Sequence, residues 1–389
     1  MDKNISLELA LIPKELKLIK EIIKKNYNPA QLLNEVRFKD INWNLFIEQS
    51  LHHRVYPLLF SELKKAENQV PLAVLQTIQY HYKRNTFEML HLTSEMKKVN
   101  EVLMNNQIRI LFLKGPMLGS DLYGDISLRT SSDLDVLVPL KSLEKVEMLL
   151  IETGYIKDDY FQTVLSDWKW RHHHLTFYHP EKKIKLEVHW RLNPGPGKEP
   201  SFEKLWDRKR ISSITSFPIY TLGKEDLFLF LVTHGARHGW SRLRWLVDIH
   251  QILKQNLNWP ELKQLLKKYH YLHIGGQAII LCSQLLGTSI TKEMKPVIQG
   301  NRPVRLAQEA IFYLEKMVNL HTEPVPDKIS KYHQRHLYSL MSTRQKFLYV
   351  LSWMYPFPID VETLPLPPKI HFFYFPLRPL LCAWRKTRR

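Results

Sequence analysis

The stretch Ser131-Ser132-Asp133-Leu134-Asp135-Val136-Leu137-Val138, closed by Pro139, constrains this chain more than any other. Its apolar, β-branched run reads as a strand. On a strand, residues i and i+2 share a face, so Asp133 and Asp135 project side by side. Two ionised carboxylates held that close repel each other. A cation between them relieves the repulsion, and an oxygen-only ligand set suits Mg²⁺ or Mn²⁺. The plainer alternative is a pair of strand-end residues in a turn, so the pattern needs support from elsewhere in the chain.

Two other segments supply it. Ile184-Lys185-Leu186-Glu187-Val188-His189-Trp190 alternates strictly, with Lys185, Glu187 and His189 on one face and the apolar residues on the other. If this strand neighbours the Asp-x-Asp strand, Glu187 becomes a third oxygen ligand, the constellation that two-metal phosphoryl chemistry needs. Upstream, Ile108–Leu113 is a short strand-forming run followed at once by Lys114-Gly115-Pro116 and a short helix, Met117–Tyr123. Gly115 lets backbone approach a ligand closely, the helix start offers N–H groups to a phosphate, and Lys114 adds a point charge. Taken alone, a strand-to-helix turn explains the same residues.

The surrounding chain is mostly helical. Apolar spacing predicts helices across 6–66, including one from Trp43 to Leu63, and a long one from Pro71 to about Asn105. No catalytic residue stands out in this first third. A helix is expected from Leu143 to Gly154, and strands around Tyr155 and at Leu175–Tyr178. Asn193-Pro194-Gly195-Pro196-Gly197-Lys198-Glu199-Pro200 is the clearest break. A strand-like stretch, Ile211 to Leu222, precedes helices at Lys224–Gly235, Leu243–Leu253, 259–269, 274–287, 302–319 and 332–354. The expected organisation is a helical lead-in (1–106), a catalytic core (107–222) and a C-terminal helical region (223–389), whose helices would wall the acceptor cleft. The fold class is α+β, a small mixed sheet flanked by helices.

Composition narrows the function classes. Lys and Arg total 56 against 38 Asp and Glu, a formal charge of +18, which attracts nucleotide phosphates, nucleic acid or anionic lipid without choosing among them. The basic residues are scattered, so nucleic-acid binding is allowed but not compelled. No apolar run approaches the length of a membrane span, and no signal-like segment opens the chain, which reads as cytoplasmic. After Glu362 the tail carries six Lys or Arg, no acid and Phe372-Phe373-Tyr374-Phe375. It suits either a peripheral membrane contact or a helix packed back on the protein. Cys282 and Cys382 do not make a disulfide framework.

Histidines offer weaker signals. Of His172-His173-His174, alternation lets His172 and His174 converge, without the cysteines or third ligand of a zinc site. His234 and His238 lie four apart as in zinc proteases, yet Gly235 stands where the general-base glutamate would be. Asp248, inside Trp245-Leu246-Val247-Asp248-Ile249, needs a partner if buried; His234, His238, Arg242 and Arg244 are the candidates.

Leu113-Lys114-Gly115, Leu122-Tyr123-Gly124-Asp125, Leu128-Arg129, Asp133-Leu134-Asp135-Val136-Leu137-Val138 and Leu186-Glu187-Val188-His189-Trp190-Arg191 occur in an order that resembles a bacterial family of largely uncharacterised nucleotidyltransferases. That family lies within the DNA-polymerase-beta-like superfamily. The His234…His238…Asp248 segment resembles its C-terminal helical part, and the likeness covers roughly 40 to 385. It implies a nucleotidyl transfer from an NTP, ATP included, with release of pyrophosphate. Asp133, Asp135 and Glu187 would hold two Mg²⁺ ions, Glu187 assisting acceptor deprotonation, while Lys114, Gly115 and Ser132 face the phosphates. The superfamily usually carries Gly-Gly or Gly-Ser at the turn; here Pro116 follows Gly115 and removes an N–H donor. Some relatives are encoded beside peptide natural-product machinery, lasso peptides among them, so a modified peptide joins small molecules as a candidate acceptor. The rival reading is a module of the same fold that binds nucleotide or nucleic acid without turnover.

Overall fold

The computed structural model describes residues 6–24, 29–35, 38–158, 163–212 and 214–387. Two arginines of the basic tail, Arg388 and Arg389, and positions 25–28 and 36–37 of the helical lead-in lie outside these residues. Seven strands form one mixed sheet: β1 (Leu111–Phe112), β2 (Asp133–Leu137), β3 (Ile156–Lys157), β4 (His174–His179), β5 (Ile184–His189), β6 (Arg210–Ser212) and β7 (Ile219–Thr221). Their order is β3-β4-β5-β2-β1-β7-β6, an α+β arrangement with helices on its flanks.

The pairing that matters most is β2 with β5, which run parallel in register: Asp133 opposite Lys185, Asp135 opposite Glu187 and Leu137 opposite His189. Leu134, Val136, Leu186 and Val188 are all buried on the opposite face, and a one-residue slip would move these apolar residues to the polar side. β4 pairs antiparallel with β5 and sets His174 opposite His189. The long helix Leu72–Asn105 packs along this sheet. Its Asn85 donates to the carbonyls of Ser127 and Arg129 at 2.8 and 3.4 Å, fixing the loop that leads into β2.

Several expected elements differ in extent. The helix expected from Trp43 to Leu63 is two, Trp43–His52 and Tyr56–Lys64. Arg54 takes a left-handed φ of 54° between them, and Pro57 at the second helix's start cannot donate to a preceding turn. Likewise 332–354 divides into Asp327–Leu340 and Thr343–Ser352, because Ser342 and Gln345 close a capping box there. Of the run Ile108–Leu113, the strand itself is Leu111–Phe112, and the Leu113 N–H extends the pairing by donating to the Asp135 carbonyl at 2.9 Å. Segment 7–13 is not helical; the first helix is Lys14–Lys24, which packs against Leu272–Leu286 in the C-terminal part.

The tail forms the helix Tyr374–Thr387. Arg378 and Arg385 turn inward onto the buried Asp360 at 2.6 and 2.8 Å, while Phe372, Phe373, Leu380 and Trp384 remain exposed. Among the described residues no helix is long and apolar enough to cross a membrane.

Candidate active site

The strand pairing carries the carboxylates to one face of the sheet, where Asp135 and Glu187 group closely with His189 and Asp133 stands outside that group. Asp133 and Asp135 leave β2 on the face where Lys185, Glu187 and His189 leave β5. Two unit charges about 4 Å apart interact by roughly 4 kcal/mol at an effective dielectric near 20, so so many acids need compensation. Lys114 Nζ lies 2.9 Å from Asp135 Oδ1, His189 Nε2 lies 3.4 Å from Asp135 and 3.5 Å from Glu187, and Lys185 lies 2.8 Å from Glu187. Ser131, not Ser132, bonds at Asp133, donating to its carbonyl at 3.1 Å and reaching its carboxylate at 3.5 Å.

The acids accordingly titrate apart. Burial and the neighbouring Asp135 charge push the Asp133 carboxyl up. Burial would do the same to Asp135, but Lys114 and His189 outweigh it and hold that carboxyl down. Glu187 is held well below the usual range, since His189 and His174, with Lys114, overcome its burial. A carboxylate so firmly ionised is a better charge-holder than proton acceptor.

The residues fit a divalent cation. Both carboxylate oxygens of Asp135 are buried with no hydrogen bond, Lys114 standing in ion-pair range without alignment. Ligand atoms of Asp135, Glu187 and His189 lie within 4.8 Å of one another. Two carboxylates with an imidazole at their edge accept Mg²⁺ or Mn²⁺.

Above the sheet opens a cavity of about 710 Å³, within the size range of small-ligand sites. Asp133, Glu187 and His189 line its floor together with Lys114, whereas Asp135 lies under Lys114 and His189. The C-terminal helices line the cavity through His234, Arg237, His238, Arg242 and Arg244. Ser132 also lines the cavity; Gly115, with φ 93°, does not. Gly115 instead lies against Leu134, where an added Cβ would meet Cδ2 at 3.4 Å.

The histidines take up different positions from those expected. His172 ends a short helix, so His173 and His174 become the neighbours, with rings 4.4 Å apart, and both face His189 at 5.3 and 5.0 Å. His234 and His238 pack against each other and around Trp245, and burial keeps both imidazoles neutral by pushing their pKa values well down. Gly235 has a packing reason: an added Cβ would lie 2.2 Å from the Trp240 ring.

Asp248 is buried, but none of its four candidate partners holds it. Arg129 grips it through Nε at 3.0 Å to Oδ1 and Nη2 at 3.0 Å to Oδ2, and Tyr123 donates to Oδ1 at 2.7 Å. This network ties the loop before β2 to helix Leu243–Leu253. Arg244 bonds the Thr130 carbonyl and, at 3.1 Å, its hydroxyl.

Sequence reading missed His189 as a site residue, although its i+2 spacing from Glu187 is the signal that marked the aspartates. It also missed Arg54, which lines the cavity from the first third of the chain; nothing in its local sequence marks it.

Paired acids thus stand on adjacent parallel strands of a mixed sheet, beside a cavity lined by arginines. Residues 39–287, well over half of the chain, match the family described as uncharacterised nucleotidyltransferase, and the chain belongs to that family. Membership supports a general nucleotidyl-transfer role with an NTP as substrate. Comparison with curated proteins and with solved structures gives no match.

Proposed function

We propose that the protein transfers a nucleoside monophosphate from an NTP to the hydroxyl or phosphate oxygen of an acceptor. The acceptor oxygen bonds to the α-phosphorus, the α–β P–O bond breaks, and pyrophosphate departs. The observation that carries this reading is the in-register placement of Asp133 and Asp135 on β2 beside Glu187 on β5, with Asp133 and Glu187 at the floor of one cavity and Asp135 just beneath it.

Asp133, Asp135 and Glu187, with His189 beside them, would hold Mg²⁺ or Mn²⁺. Such ions supply charge neutralisation on the phosphates and acidify a bound acceptor hydroxyl. The chain's own contribution is orientation. β2 and β5 fix the carboxylates on rigid strands, and Asn85 and the Arg129–Asp248 pair hold the approach loop. Lys114 and His189 keep Asp135 and Glu187 ionised in a buried setting. Ser132, which lines the cavity, would donate to a phosphate. Glu187, held acidic by His189 and His174, is suited to serve as a metal ligand.

The test is transfer of label from each α-labelled NTP, with Mg²⁺ or Mn²⁺, to small-molecule and peptide acceptor pools. Label in an acceptor together with released pyrophosphate supports transfer. Binding of NTP with no pyrophosphate from any of the four, under both metals, would favour the binding-only rival.

A further inference from the structure

The cavity holds more positive charge than its acids can balance. Arg54 stands at the turn between helices Trp43–His52 and Tyr56–Lys64; Arg242 and Arg244 stand at the head of helix Leu243–Leu253. Three hydrogen bonds lock these distant segments together. The backbone N–H groups of Arg244 and Leu243 donate to the carbonyl and Nδ1 of His53, both at 3.2 Å, and His52 Nε2 meets the Ser241 carbonyl at 3.2 Å. The chain thus builds a rigid joint whose consequence is to bring three guanidinium groups to one wall of the cavity.

Those guanidinium groups are poorly matched within the protein. Among the described residues, neither Arg54 nor Arg242 has a side-chain hydrogen bond or a carboxylate in ion-pair range. Arg244 is half-buried, spends one nitrogen on Thr130, and leaves Nε without a partner. Asp133 is the acid whose charge reaches both Arg54 and Arg242, with Glu88 a lesser influence on Arg54. Arg129, also in the lining, is already neutralised by Asp248. Burial, and then repulsion from neighbouring arginines, depresses the guanidinium groups, Arg242 to about 10 and Arg244 to about 9. Like charges gathered in a partly dry cavity weaken the fold unless an anion joins them. Meanwhile the turn that usually cradles phosphate lacks an N–H at Pro116, and Gly115 does not line the cavity.

We propose that Arg54, Arg242 and Arg244 form the binding site for the β- and γ-phosphates of the NTP, taking over the role of the glycine turn. Guanidinium forks match phosphate oxygens bidentately and carry a fixed charge. The site would stabilise the pyrophosphate as the α–β bond breaks. The assignment rests on the nucleotidyl-transfer reading for its ligand, but its chemistry requires only a polyphosphate chain.

The experiment uses full-length protein, inorganic tripolyphosphate in EDTA as the probe, and the variants Arg54→Gln, Arg242→Gln and the double. Arg54 and Arg242 are chosen because removing them breaks no hydrogen bond. Calorimetry should show each single change weakening tripolyphosphate binding by about tenfold or more, and the double by about a hundredfold. Without ligand, the melting temperature of the double variant should hold or rise, because repulsion is relieved. A structural role would lower it instead. Tripolyphosphate affinity equal to wild type in the double variant, or a ligand-free melting temperature several degrees lower, would overturn the proposal. The transfer reading is separated by a second arm. Wild type that releases no pyrophosphate from any NTP, yet loses tripolyphosphate binding on these substitutions, sinks the transfer reading and keeps the anion site. Turnover with an unchanged KM for NTP in the double variant does the reverse.

Discussion

At the scale of single residues, the site is a problem in charge placement. Asp135 and Glu187 are kept ionised by Lys114 and His189, and Asp133 is pushed the other way. The Asp-x-Asp and Glu187 were legible because strand alternation is a local rule: the residue two positions on must share a face. His189 obeyed the same rule. The partner of Asp248 was not legible, because Arg129 lies far back along the chain and no local spacing links them. This pair makes a sharp prediction. Asp248→Ala leaves the buried Arg129 uncompensated and should cost about 3–5 kcal/mol in urea unfolding. Asp248→Leu combined with Arg129→Met should recover a large part of that loss. A single variant as stable as wild type would contradict the pair's role.

Among the elements, helix existence was readable from apolar spacing and helix ends were not. Arg54 and Ser342 break two expected helices through a left-handed φ and a capping box, effects of one or two residues that periodicity averages over. The sheet was recognised from its strands, but its order depended on a parallel β2–β5 pairing that sequence could only suppose. Helix Lys224–Arg237 shows how packing explains a residue that motif reading left as a gap. Gly235 faces the Trp240 ring so closely that Gly235→Ala should destabilise by about 1–3 kcal/mol, despite alanine's better helix propensity. Thermal unfolding checks the sign; a stabilised variant would mean that the ring moves freely. At the tail, Arg378→Ala with Arg385→Ala strands Asp360 in a buried position and should loosen the last helix. Faster proteolysis near residues 358–387 is the expected sign.

On the scale of the whole molecule, the cavity is a joint product of three distant stretches: the turn at Arg54, the β2–β5 floor and the C-terminal helices. That assembly explains why the floor was legible and the walls were not; the walls depend on tertiary docking alone. Buried histidines also make stability sensitive to acid. His250, His273 and His333 are pushed down to about 4, mainly by burial, so the folded state resists protons that the unfolded chain accepts near pH 6.5. Their contribution is therefore fully present above that pH and is lost as the pH falls from about 6.5 to about 4. The melting temperature should drop by several degrees between pH 7.5 and pH 5, and a flat profile would show that these imidazoles are not buried neutral.

The central claim is that β2 and β5 together carry the acids of a nucleotidyl transfer. Its most direct test is pyrophosphate release with Mg²⁺ and NTP, comparing wild type with the double variant Asp133→Ala, Asp135→Ala, whose folding is verified by circular dichroism. Release by wild type and a fall of at least about a thousandfold in the folded variant are expected. Release that survives in the variant would contradict the claim.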